Sequence, residues 1–104
     1  MAKSIMQDGK YCYICRKEYN INTVSGLEEH HVFGGSLRPL AEHYGLKVYL
    51  CHRHHNEPPL GVHFNATARW RLERDAKRAF DLRHGAGMLD KLIKRVQEEA
   101  PHAV

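Results

Sequence analysis

Two short ligand pairs stand out in this chain, Cys12-x2-Cys15 and Cys51-x2-His54. Each has knuckle spacing, and together they offer three thiolates and one imidazole, a donor set that suits tetrahedral zinc. His52 or His55 could replace His54 as the fourth ligand, but His54 keeps the two-residue gap. The 35 residues between the pairs form a loop that such a metal would close, which matters most where the core is small. A second group needs a different explanation. His30, His31, His55 and His63 are histidines that a four-ligand zinc site does not use. Glu29-His30-His31 ends a predicted strand inside the closed loop, and a zinc-held His54 fixes where His55 points. Imidazoles bind divalent metals and exchange protons near neutral pH, and His30, His31 and His55 could converge beside that rigid metal.

The elements that must position these groups follow from pattern and punctuation. Lys3 to Gln7 reads as a short strand, Asp8-Gly9-Lys10 as a turn, and Tyr11 to Cys15 as the first knuckle. Leu27 to Phe33 reads as a strand ended by Gly34-Gly35. Pro39 to Tyr44 reads as a short helix, with Pro in its first turn and Gly45 just past its end. Leu46 to Cys51 reads as a second strand with Val48 and Leu50 on one face. His52 to Asn56 starts a helix that Pro58-Pro59 stops. Gly61 to Phe64 is a connection. Asn65 is the expected N-cap of a helix reaching about Arg83, with Ala68, Leu72, Ala76, Ala79 and Phe80 as its apolar stripe. His84-Gly85-Ala86-Gly87 breaks it. A last helix carries Leu89, Leu92, Ile93 and Val96, a stripe that fits a partner as well as the domain itself. The tail Pro101 to Val104 is expected to be loose.

The totals set the frame. A chain of 104 residues defaults to one domain and leaves room for only a modest core, so a stabilising metal is in keeping. The three cysteines cannot pair evenly, Met1 to Met6 has no apolar signal core, and no run approaches a membrane span. A reducing, cytoplasmic setting is the expectation, where cysteines bind metal more often than they form disulfides. The net charge of +4 is compatible with a nucleic-acid partner.

The stretch from Glu29 to Asn56 resembles the HNH nuclease family. Zinc-stapled members carry Leu-Cys-x-x-Cys-His-Asn after their second strand, and this chain has Leu50-Cys51-His52-Arg53-His54-His55-Asn56, with His54 in place of the second cysteine. His30-His31 matches the family's first histidine pair. Small phage and prophage proteins of this type share the cysteine knuckle, the His-His-Val-Phe strand, the Tyr-Gly-Leu-Lys-Val segment and the Gly-Val-His stretch, so the likeness covers Ser4 to about Asn65. It implies an α+β fold: a zinc-stapled ββα-metal core over 1–65, extended by two C-terminal helices over 66–104 in the same domain. It implies a metal-dependent endonuclease that hydrolyses DNA phosphodiester bonds, in a bacterial host cytoplasm and encoded by a phage or prophage. A packaging or recombination partner, or a second copy of the chain, would fit that setting.

By the same resemblance His31 is the general base, and His30 and His55 bind the catalytic ion, Mg2+, Mn2+ or Ni2+. The third ligand is His63 or Asn56, with His63 preferred. Cys12, Cys15, Cys51 and His54 hold the structural zinc. The family's middle asparagine has no counterpart between His31 and Cys51; His43 or backbone groups would have to brace the loop instead. Adjacent strand residues point to opposite faces, so His30 and His31 share a site only if the strand bends or ends there.

Other side chains could meet the substrate. Arg53 is placed beside the histidines, Lys47 could reach the DNA backbone, and Arg69 and Lys77 lie on a basic helix face with Arg71, Arg74 and Arg78, balanced by Glu73 and Asp75. Glu28 and Glu29 could orient an imidazole. Trp70 is expected to pack on the zinc module, and the tyrosines at 11, 13, 44 and 49 to fill the core around it. A non-catalytic zinc module that binds nucleic acid or protein is the alternative; it leaves the four extra histidines without a role. Zinc hydrolases with His-Glu-x-x-His and deaminases with Pro-Cys-x-x-Cys are excluded because neither segment is present.

Overall fold

In the computed structural model, which describes residues 2–99, a two-stranded sheet and five α-helices make an α+β fold. The expected loose tail from Pro101 lies outside the described residues. Element order is α1 (Tyr13–Tyr19), β1 (Leu27–His31), α2 (Arg38–Tyr44), β2 (Lys47–Cys51), α3 (His52–Asn56), α4 (Ala66–His84) and α5 (Met88–Glu99). Single 3-10 turns lie at Gly35–Leu37 and Val62–Phe64. The two strands pair antiparallel, with Leu27 opposite Cys51, His30 opposite Val48 and His31 opposite Lys47.

β2 forms because Val48, Tyr49 and Leu50 favour a pleated, half-buried surface. Val48 and Leu50 are both buried, as alternation requires. β1 ends at His31, two residues short of the expected Phe33. The chain bends there while Val32 N–H still donates to the Leu46 carbonyl at 3.0 Å. Val32 and Phe33 then turn into the core with Leu46, Val62, Leu72, Ala76, Phe80 and Leu89.

α2 ends at Gly45, whose φ of +71° is open to glycine at low cost. A Cβ there would also collide with the Lys3 carbonyl, because the N-terminal segment runs directly against this turn. That segment is not the expected strand over Lys3 to Gln7. Ile5 N–H donates to the Gly45 carbonyl, but side chains supply the neighbouring bonds: Ser4 Oγ donates to the Lys47 carbonyl and Gln7 Oε1 accepts from Tyr49 N–H. Side-chain partners stand in for the regular ladder, so no strand forms.

α4 starts as its cap residue dictates, with Asn65 Oδ1 accepting from Ala68 N–H at 2.9 Å. Leu72, Ala76 and Phe80 bury its apolar stripe. Asp81 then accepts from the N–H groups of Gly87 and Leu89, so α4 caps the start of α5. Leu89 is fully buried and Leu92 and Ile93 pack on the core, which places the α5 stripe on the domain itself.

Two sequence expectations on α4 change. Asp75 is no solvated counter-charge: it is buried, accepting from Tyr13 Oη at 2.8 Å and Lys17 Nζ at 2.6 Å, and it ties α4 to α1. Burial pushes its carboxyl up, but the hydrogen bonds from Lys17 and Tyr13 outweigh that and hold it below the usual carboxylate range. Trp70 does not pack on the zinc module. It is 60% exposed, with the Arg74 guanidinium 5.3 Å from its ring centroid. The tyrosines share the core less evenly than expected: Tyr13 and Tyr44 pack against it, and Tyr44 meets Phe80 edge to face.

Candidate metal centres

Cys12 caps α1 with its sulfur, which accepts from Cys15 N–H at 3.4 Å, so one helical turn sets both thiols side by side. Cys51 ends β2 and His54 lies one turn into α3, on the same side of the helix. The antiparallel hairpin brings this second pair onto the first. His54 Nδ1 lies 3.7, 3.4 and 3.4 Å from the sulfurs of Cys12, Cys15 and Cys51, and Cys15 and Cys51 are 3.8 Å apart at sulfur. Sulfurs ~2.3 Å from one tetrahedral ion would sit about 3.8 Å apart, so the spacing fits an ion such as zinc. The Tyr19 ring stacks on His54. Burial pushes the Cys12 thiol up to about 12, so a bare thiolate is disfavoured there and a bound cation would reverse that. His54, rather than His52 or His55, completes the set: His52 is exposed beside Glu28 and Glu57.

Successive helical residues point ~100° apart, so His55 leaves this cluster and joins another. His30, His55 and His63 form a second group whose ligand atoms lie within 4.8 Å of one another. His30 is buried under the other two rings, with centroids 5.2 Å from His55 and 5.3 Å from His63. His63 reaches the group from the 3-10 turn. Buried Val62 anchors that turn, and Arg69 donates to the Val62 carbonyl at 2.8 Å.

The hydrogen bonding leaves this group free to hold a metal. Glu28 Oε1 is 2.7 Å from His55 Nδ1, and the carboxylate is held below its usual range by hydrogen bonds from His55 and then His52. Nδ1 of His55 is therefore the donor, and its Nε2 keeps a lone pair. That Nε2 lies 3.0 Å from His63 Nε2. Two nitrogens ~2.1 Å from one ion and roughly at right angles would be about 3.0 Å apart, so a divalent ion fits this contact. Burial, then the neighbouring histidines, hold His30 down at about 3, and burial with His55 and Arg69 also lowers His63. Neutral imidazoles are the form that binds metal. Asn56, the other candidate third ligand, donates to Glu28 instead and is exposed.

His31 reaches the same place from the other side. With β1 ending at His31, both neighbours line one shallow depression of about 380 Å3 with His55, His63, Arg38 and Arg69. His31 Nε2 lies 3.0 Å from Glu42 Oε1, and Lys47 Nζ lies 2.9 Å from Glu42 Oε2 and 3.5 Å from Glu29. Hydrogen bonds from Lys47 and then His31 hold the Glu42 carboxyl at about 2.

Among the expected substrate contacts, Arg69 lines this depression. Arg53 lies with Cys51 and Leu60 around the cysteine cluster, because α3 turns it away from the histidines. Lys47 is buried by its carboxylate partners and not directed to a phosphate, and Lys77 is paired with Asp90 at 3.0 Å. His43 braces nothing here: it is exposed, against Tyr44, while Val32 and Leu46 tie the loop by backbone. Sequence reasoning does not single out Glu42 or Arg38. A signal for Glu42 exists, since it is the sole acidic residue between His31 and Cys51.

No protein-family model, no curated protein and no solved structure matches the chain. No helix among the described residues is long and apolar enough to cross a membrane.

Proposed function

We propose that this protein is a metal-dependent endonuclease of the HNH type, hydrolysing phosphodiester bonds in DNA. The observation that carries the reading is the pair of donor sets side by side. Cys12, Cys15, Cys51 and His54 form a closed, largely buried set of four suited to a structural zinc, whereas His30, His55 and His63 form a three-ligand set at an open depression, the arrangement expected of a catalytic ion. Glu28 behind His55 is the kind of outer partner that fixes a ligating imidazole. A divalent ion, Mg2+, Mn2+ or Ni2+, would supply Lewis acidity to the scissile phosphate and its leaving 3′ oxygen.

The chain's own residues supply the rest. His31 takes a proton from the attacking water, whose oxygen bonds to phosphorus as the phosphorus–3′-oxygen bond breaks and the 3′ oxygen leaves to be protonated. Arg38 and Arg69 border the depression with charge suited to the flanking phosphates.

The test is nicking of supercoiled plasmid by zinc-loaded protein with Mg2+, Mn2+ or Ni2+ added back. Wild type should nick only with added metal, and His31→Ala should lose at least about 100-fold in rate with zinc content and fold unchanged. No nicking by well-folded wild type with any of the three ions would favour the zinc-module alternative.

A further inference from the structure

The opposite face of the hairpin carries a set of charges around His31 that lies outside the three-histidine donor set. His31 and Lys47 face each other across the β1–β2 pair, and Glu42 reaches over from α2 to both. We infer that Glu42 is a positioning residue for His31: it holds the ring with its proton on Nε2 and so leaves Nδ1 as the nitrogen that takes a proton from water. The second half of that statement rests on the nuclease reading; the first half rests on side-chain geometry alone.

A carboxylate oxygen only accepts, so a neutral His31 ring with Nε2 at 3.0 Å from Glu42 Oε1 must donate from Nε2. The neutral ring then has its lone pair on Nδ1. Glu42 cannot easily swing away, because its second oxygen accepts from Lys47 Nζ at 2.9 Å. Lys47 is itself fixed: its side chain is only 6% exposed, and Ser4 Oγ bonds its carbonyl. Each Glu42 oxygen thus has a different partner, and the carboxylate plane is set by both. Glu29 is 3.9 Å from His31 Nε2, too far for a hydrogen bond, so it balances charge and does not orient the ring. Glu29, His31 and Glu42 together have the donors of a cation site. The Lys47 ammonium, 2.9 and 3.5 Å from the two carboxylates, already provides the positive charge there, which argues for an orienting cluster and against a third metal.

The test is ring-nitrogen NMR of the zinc-loaded protein at about pH 8, where a free imidazole is neutral. The His31 signals are assigned by their loss in His31→Asn. The wild type should show His31 as one tautomer with hydrogen on Nε2. Glu42→Ala should give a tautomer mixture, and Glu42→Gln should weaken the Nε2 form too, because its single amide oxygen cannot accept from both Lys47 and His31. In the plasmid assay with saturating Mn2+, Glu42→Ala should lower kcat about 10- to 100-fold with KM nearly unchanged. Circular dichroism and zinc content confirm that each variant is folded. Hydrogen on Nδ1 in the wild type, or a His31 tautomer indifferent to Glu42→Ala, would overturn the positioning role, as would Glu42→Ala nicking at the wild-type kcat. An Nε2 tautomer that depends on Glu42, in a wild type that never nicks, would sink the nuclease reading and leave the Glu42–His31 pair standing.

Discussion

His54 and His55 are neighbours in sequence and belong to different donor sets, because a helical step of ~100° separates their side chains. Substitutions at these sets should therefore separate stability from activity. Cys12→Ser removes a buried ligand from the closed set, and the protein should lose tightly bound zinc and more than about 4 kcal/mol of stability, much of what a domain this size has. Thermal melts with zinc analysis check this; a Cys12→Ser protein melting like wild type would remove the staple. His55→Ala should keep zinc and fold, shift the melt little, and lose nicking. At this scale the sequence is informative wherever chemistry shows as spacing. Both ligand pairs, Cys12 with Cys15 and Cys51 with His54, come together, as do His30, His55 and His63. The role of Glu42 and the burial of Lys47 are not legible in it, although Glu42 stands out as the sole acidic residue between His31 and Cys51, because both depend on a contact between α2 and the hairpin that no local pattern encodes.

Among the elements, the tie between α1 and α4 is the least expected. Asp75 is held below the usual carboxylate range in the folded state, so its stabilising contribution is present above the unfolded pKa of about 3.9 and is lost as pH falls through the folded value. Asp75→Asn should cost about 1–3 kcal/mol at neutral pH. In urea melts with excess zinc, the gap between wild type and Asp75→Asn should narrow as pH falls below about 4. A gap that stays constant would mean Asp75 titrates normally, and one that widens that its carboxyl is raised; either contradicts the assignment. Helix α1 itself is hidden in the sequence. Its cap is a cysteine, outside the usual Ser, Thr, Asp and Asn, and its first residues read as a metal knuckle. α2, α3 and α4 are legible because Pro39, Gly45, Pro58-Pro59 and Asn65 punctuate the chain where elements end or begin. The N-terminal segment reads as a short strand, but Ser4 and Gln7 supply the bonds through side chains.

The whole molecule is a thin core extended by donor atoms. Loop 16–50 carries the hairpin partner strand and α2, and both donor sets depend on that hairpin closing. α5 completes the core from the far end, so Leu89→Ala should destabilise by about 2–5 kcal/mol even in dilute protein, where association is absent. A melt that changes only at high protein concentration would instead assign the stripe to a partner. At the centre of the proposed function stand two independent metal sites, one closed and one open. They are tested most directly by calorimetric titration of Ni2+ into zinc-loaded protein, wild type against His55→Ala. The wild type should take up a single further ion without displacing zinc, and the variant should show no such binding. Binding of equal strength in both proteins, or Ni2+ uptake matched by zinc release, would contradict the second site and the nuclease reading built on it.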